Sequence, residues 1–296
     1  MIIIASREGQ LANRIWHASA FIVNAQENNY RIIHPFFDEY YPFFSESLNR
    51  NKSPIRFWGK RKSSAYSFLQ TLLIFGIKIF LKLNIKKLPF FEIIRYEGYD
   101  QEMKPFDLND ENFINKAKSK LVLVCGWLFR DTVNQEKHKQ LLLDTWVPDK
   151  QYQEGVESDF KKYKNEHDLL IGVHIRGGDY KKFEKGKWYY TPEEYYKKMQ
   201  EVAALEIFRN KRIAFVVCTN EKNISMPGTE KFSVFSEERH SIEDLYLLAK
   251  CDYIMGPPST FSIWASFYGA VPLLMIKDIS VNINEFFFTT NAIVCN

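Results

Sequence analysis

Leu169-Leu170-Ile171-Gly172-Val173-His174-Ile175-Arg176-Gly177-Gly178-Asp179 is the stretch from which the rest of the chain is read. The run up to Ile175 carries no Asp, Glu, Lys or Arg, and it stops at a turn holding an arginine, two glycines and an aspartate. A short apolar run bounded by turn residues marks a strand buried on both faces, as in a parallel sheet. Downstream, Thr191-Pro192-Glu193-Glu194 combines a capping box with proline at the first helical position and opens a helix carrying Tyr195, Met199 and Val202. A strand over 213–218 follows. Ser241-Ile242-Glu243-Asp244 reads as another helix start, leading through Leu245, Leu248 and Ala249 to a strand over 253–256. A last helix from about Thr260 ends at Gly269, before a strand over 271–276. Strands alternating with helices predict a parallel α/β sheet with its ligand crevice at the carboxyl ends of the strands.

Toward the amino terminus, an apolar strand over 2–5 runs into a polar turn at Gly9, after which Leu11, Ile15, Ala18 and Ile22 recur at helical spacing. Asn28 and Asn29 end that helix before a strand over 30–34, and the pattern returns with a strand over 121–125. The charged stretch 161–168 is the expected domain boundary, giving an amino-terminal Rossmann-like domain over 1–165 and a carboxy-terminal one over 166–296. Residues 51–90 fit no strand-helix-strand unit and read as an insertion, an apolar helix with a basic border.

The 296 residues, 46% of them hydrophobic and 16% aromatic, suffice for about two domains with a large core, which excludes a disordered chain or a small disulfide scaffold. Forty basic residues against 36 acidic give a formal charge of +4, too small a bias for a nucleic-acid partner. The bias is local: Lys52, Arg56, Lys60, Arg61, Lys62, Lys78, Lys82, Lys86 and Lys87 fall within 51–90, which has no acidic residue. Such a segment suits peripheral contact with an anionic membrane, or a core helix with a solvated border. Cys125, Cys218, Cys251 and Cys295 are widely spaced, as expected of free thiols in a reducing compartment. The first residues lack the pattern of a signal peptide, and the longest apolar stretch is broken by Gln70, Lys78 and Lys82, so the expectation is a cytoplasmic protein without a membrane span.

Three turns carry candidate chemistry. Arg176, at the end of a buried strand with two glycines behind it, has the residue types of a phosphate clamp; a strand-to-turn junction with an Arg176–Asp179 pair is the plainer alternative. In Gly256-Pro257-Pro258-Ser259-Thr260-Phe261-Ser262-Ile263-Trp264, hydroxyls and backbone N–H groups at a helix start suit an anion, although Ser259 or Thr260 serves equally as a plain cap. The third turn, Gly9-Gln10-Leu11-Ala12-Asn13-Arg14, has one glycine and is not the dinucleotide fingerprint. The chain has no Asp-x-Asp, Walker loop or His/Cys metal cluster, so no metal or other cofactor is expected, and phosphate charge must be met by side chains and helix ends.

Taken together, these turns resemble the α1,2-fucosyltransferase family and its α1,6- and protein O-fucosyltransferase relatives. Those families carry Gly-x-Leu-Gly-Asn, His-x-Arg-Arg-x-Asp and Ser-Thr-Phe-Ser-x-Trp in the order found here. The resemblance implies a GT-B-like fold, two Rossmann-like domains with a cleft between them, and metal-independent, inverting transfer from GDP-fucose to a glycan or lipid-linked oligosaccharide acceptor. It implies Arg176 on the β-phosphate, His174 and Asp244 on guanine, and Ser259 or Thr260 on phosphate. Asn13 and Arg14 join the nucleotide-sugar set, while Asp179 and Glu184 join Arg176 as catalytic candidates, Glu184 as the base. Gly177 stands where the family has its second arginine and Ala12 where it has its second glycine. The expected function is fucosyl transfer to a galactose-like hydroxyl of a surface glycan precursor in a bacterial-type cytoplasmic enzyme. A non-catalytic nucleotide-sugar or glycan-binding protein, or a transferase using another nucleotide sugar, is the alternative.

Overall fold

Ile2, Ile3 and Ile4 are almost wholly buried, and around them the amino-terminal sheet is assembled. The computed structural model describes residues 1–50, 53–57, 64–83, 87–96, 104–224, 226–284 and 288–289. It divides into two units, Met1–Asp149 and Lys150–Asn296. In chain order the first contains β1 (Ile2–Ile4), α1 (Leu11–Asn28), β2 (Ile32–His34), α2 (Ser45–Arg50), β3 (Ile55–Phe57), α3 (Ser64–Lys82), β4 (Lys87–Leu88), β5 (Phe91–Arg95), β6 (Phe106–Asp107), α4 (Glu111–Ser119), β7 (Leu121–Cys125), β8 (Phe129–Arg130), α5 (Thr132–Lys137) and α6 (Lys139–Thr145).

The main sheet of this unit has the order β3-β2-β1-β7-β5-β4, parallel except for the β4–β5 pair. Because side chains alternate along a strand, Ile3, Ala5, Ile93, Leu123 and Cys125 share one face, and Ile77 of α3 packs against it. Helix α1 buries Leu11, Ile15, Ala18 and Ile22, as their spacing predicted, and ends where Asn29 turns left-handed at φ 56° and donates to the Ala25 carbonyl. Of the described part of 51–90, β3 and β4 are the two edges of the sheet and α3 covers one face, because an open sheet needs an apolar layer on each side. Lys52, Lys60, Arg61, Lys62, Lys86 and Cys295 lie outside the described residues.

The second unit contains α7 (Lys150–Lys164), β9 (Leu169–Ile175), α8 (Pro192–Ala203), β10 (Ile213–Thr219), β11 (Phe232–Phe235), α9 (Ser241–Leu248), β12 (Tyr253–Gly256), α10 (Thr260–Gly269), β13 (Leu273–Met275) and β14 (Phe288–Thr289). Its sheet runs β11-β10-β9-β12-β13-β14, parallel but for β14. Ile171, Val173, Phe215, Val217 and Met255 form the face covered by Tyr195, Met199 and Val202 of α8, which starts at the expected Thr191–Glu194 capping box. Chain division falls at 149/150 rather than in the charged stretch 161–168, which is the last turn of α7 and the approach to β9. Helix α9 is capped one residue before the expected Ser241: His240 is the cap, its Nδ1 accepts from the Ile242 N–H, and Glu243 accepts from the His240 N–H. Cys125, Cys218 and Cys251 are buried thiols outside any disulfide. No helix among the described residues is long and apolar enough to cross a membrane.

Candidate functional site

The chain builds β9, then β10 and β11 on one side of it, then crosses to place β12 on the other side. In an open α/β sheet that reversal leaves a crevice beyond the carboxyl ends of the two flanking strands, here β9 and β12. The turns after them are 176–179 and 257–259. They are tied together: the Tyr180 hydroxyl donates to the Pro258 carbonyl at 2.8 Å. From the β10 side, Asn220 Oδ1 accepts from the Gly177 N–H at 2.9 Å. Gly178 takes the left-handed φ of 56° that lets the chain turn there.

Arg176 projects from this braced turn with its side chain only 13% exposed. Its Nη2 lies 2.9 and 3.0 Å from the two carboxylate oxygens of Asp179, and its guanidinium carbon sits 5.2 Å from the Tyr180 ring centre. The pair is thus present, and it holds the guanidinium by its edge at the switch point. Asp179 is half exposed.

The adjacent Gly177 has a physical reason to lack a side chain. A Cβ there would fall 2.1 Å from Cγ of Glu221, which is held by Lys181 at 2.8 Å. The space a second arginine would leave through is filled by a carboxylate paired with a lysine.

His174 lies on the face of β9 opposite Val173 and Ile175 and is buried. Its Nδ1 lies 2.7 Å from Ser262 Oγ, and its ring centre is 4.9 Å from that of Phe261. Burial and the neighbouring Arg176 charge push the imidazole down to about 3, so it is neutral at physiological pH. Gly256 permits this packing, since a Cβ there would lie 3.0 Å from His174 Cβ. Ser259 is the N-cap of α10, accepting from the Phe261 N–H, which leaves its own proton to donate; Thr260 is the first helical residue.

Glu184 lies in a one-turn loop where it and Lys185 both adopt left-handed backbone, φ 44° and 62°, an unfavourable arrangement for two residues that are not glycine. Its Oε1 is buried without a hydrogen-bond partner among the described residues.

Asp244 belongs to a different cluster. It is buried on α9 with one oxygen 3.4 Å from Arg239 Nη1, and Arg239 also holds Asp159 at 2.7 Å and the Tyr163 hydroxyl at 2.8 Å. Burial raises its carboxyl to about 7, less the pull of Arg239 in the other direction. Its ionisation is therefore balanced near neutrality.

Asn13 and Arg14 lie in the first unit. Arg14 is turned inward there: Nε donates to the Gly9 carbonyl, Nη1 to that of Phe36, and Nη2 pairs with Glu39 at 3.1 Å. Arg14 thereby holds the β1–α1 turn, because the carbonyls that turn exposes need donors. Asn13 covers Gly9, where a Cβ would fall 2.0 Å from its Nδ2.

His174, Arg176, Asp179, Ser259 and Thr260 are thus gathered at the β9 and β12 ends. Sequence reading missed Tyr180, Asn220, Glu221 and Arg239. Asn220 and Glu221 directly follow a buried strand, the same positional signal that pointed to Arg176, but they stand in no motif.

Two α/β units of this kind, each built on a largely parallel sheet, are the layering of the GT-B class of folds. The chain belongs to glycosyl transferase family 11, whose family model matches residues 71–286. The resemblance expected from the three turns therefore holds. Among solved structures the protein is similar to FUT1 of Arabidopsis thaliana, in a mutant form in complex with GDP, with a TM-score of 0.59 at 13% identity over 93% of this chain and 70% of that one. Fucosyltransferase NodZ from Bradyrhizobium gives a TM-score of 0.54 at 15% identity, over 93% and 94% of the two chains. POFUT1 in complex with GDP-fucose gives 0.53 at 10% identity, over 96% of each. At these identities the likeness is one of fold. A comparison with curated protein sequences gives no match.

Proposed function

We propose that this glycosyltransferase moves fucose from GDP-fucose, without a metal ion and with inversion at the anomeric carbon, to a galactose-like hydroxyl of a surface glycan precursor, in α1,2 linkage. The observation that carries this reading is Arg176, braced between the turns after β9 and β12 beside the start of α10. In the reaction the acceptor oxygen bonds to the anomeric carbon as the bond from that carbon to the β-phosphate oxygen breaks. Glu184 takes the acceptor proton, and its buried oxygen, without a partner among the described residues, suits a base. Arg176 meets the charge arriving on the β-phosphate, joined by the Ser259 and Thr260 hydroxyls and the amino end of α10. His174 as a neutral donor or acceptor, and Asp244 as a carboxylate with two acceptor oxygens, would face the guanine edge. Support also comes from structural neighbours described with GDP or GDP-fucose.

A second reading, nucleotide-sugar binding without turnover, is favoured by Gly177, where Glu221 and Lys181 occupy the position of a second arginine. Thermal shift with GDP, UDP, GDP-fucose, GDP-mannose and UDP-galactose tests the donor. Selective stabilisation by GDP and GDP-fucose is expected, followed by GDP release in the presence of galactosides and chelator. Stabilisation by UDP-sugars alone would overturn the donor assignment. GDP binding with no release of GDP from GDP-fucose would select the binding protein.

A further inference from the structure

Helix α3 has two apolar faces. Leu73, Ile74, Ile77 and Leu81 pack on the sheet of the first unit. On the opposite side Phe68, Leu72, Phe75, Ile79 and Leu83 follow one another at spacings of four and three residues, which puts them in a single ridge. All five are exposed, Phe68 by 64%, Phe75 by 60% and Leu83 by 62%. Lys78 and Lys82 are exposed along one flank of this ridge, and on the other Gly76 looks into open space. A soluble surface seldom leaves so many large apolar side chains contiguous unless something covers them.

Charge decides what that is. Residues 51–90 contain nine basic side chains and no acidic one. Glu92, just beyond, is already held by Lys116 at 2.8 Å and approached by Lys120. A second copy docking by the same face would bring lysines against lysines with no carboxylate from this segment between them. An anionic surface matches both features at once.

We propose that the outer face of α3 docks on an anionic lipid bilayer, with Phe68, Leu72, Phe75, Ile79 and Leu83 inserted among the acyl chains and Lys78 and Lys82 on the headgroups. The helix lies in the plane of the interface, since its other face is committed to the sheet. This reading does not depend on the sugar donor.

The test is co-sedimentation of the full chain with vesicles of phosphatidylcholine, alone or mixed with phosphatidylglycerol, at low and high salt. Binding to the mixed vesicles is expected, weaker on phosphatidylcholine and weaker at high salt. Lys78→Ala and Lys82→Ala should each reduce partition by about fivefold. Phe68→Ser with Phe75→Ser should abolish it, while the melting temperature holds because both rings are on the exposed side. Should that double variant lose its fold, the lysine variants still decide. Equal partition on both vesicle types, no partition on either, or lysine variants that bind as well as the parent would overturn the proposal. So would a concentration-dependent dimer in sedimentation velocity that Phe75→Ser dissociates, which would assign the ridge to a second copy.

Discussion

Arg176 is held at its switch point by Asp179 and Tyr180, so its charge is positioned at the crevice. A lysine there keeps the charge and loses the planar two-point geometry. Arg176→Lys should reduce kcat by roughly a hundredfold to a thousandfold, with a much smaller change in donor KM, because the charge it meets is larger in the transition state. Steady-state kinetics beside a thermal melt check this; a large loss of melting temperature with kcat retained would make Arg176 a brace for the turn. At Gly177 the steric limit is sharper. Gly177→Arg must displace Glu221 and break its pair with Lys181, which should cost about 1–3 kcal/mol in urea unfolding. Adding Glu221→Ala should recover most of that loss. A single variant as stable as the parent would show that Glu221 yields freely.

Helices in the two units respond to the same substitution in opposite senses. Gly269 closes α10 against the end of α9, where a Cβ would lie 1.9 Å from the Ala249 carbonyl oxygen, a backbone atom that cannot swing aside. Gly269→Ala should destabilise the protein by about 1–3 kcal/mol. Gly76, within α3, has nothing within 4 Å of its would-be Cβ, so Gly76→Ala should stabilise it by up to about 1 kcal/mol through helix propensity alone. Chemical denaturation of the two variants side by side is the measurement, and shifts of the same sign would contradict the packing described for α9 and α10. The sequence marks Gly269 as a helix end and leaves Gly76 inside a helix, but only the distance to a neighbouring element sets how much a side chain costs at each.

Over the whole molecule, buried titratable groups set the response to acid. His17 and His174 are pushed down to about 3 by burial, and His34 falls well below its usual range for the same reason. Their folded pKa values lie below the unfolded 6.5, so the stability they contribute is complete above 6.5 and is lost as pH falls toward 3. Asp244 works the other way: raised from 3.8 to about 7, it contributes stability below 3.8 that is lost as pH rises through 7. Between pH 4 and 6.5 the histidines outnumber it, and stability should fall on acidification. Asp244→Asn removes the opposing group, so the fall should steepen by up to about 1.4 kcal/mol per pH unit. Parallel stability–pH curves for parent and variant would mean that Asp244 ionises as an ordinary carboxylate.

How much of this was legible beforehand follows from range. The strands β1, β7, β9 and β12, the Thr191 cap and the end of α1 at Asn29 are written in residues next to one another, so periodicity and capping chemistry revealed them. The same holds for Arg176, which directly follows a buried strand, and for Ser259, two prolines beyond one. By contrast, β3 and β4 are sheet edges too short to show a period, and α7 is too polar to show an apolar stripe. That Glu221 occupies the space beside Gly177, that Arg239 shares Asp244 with Asp159, and that Arg14 turns inward toward Gly9 and Glu39 are contacts between residues distant in sequence or brought together only by a turn. The sequence by itself determined the parallel α/β layering and the location of a basic, glycine-rich turn at a strand end, because hydrophobic period and turn chemistry are local. Which of the charged residues meet each other, and which apolar face of α3 is left uncovered, only the tertiary structure decided, because pairing and burial depend on what the fold brings within a few ångströms.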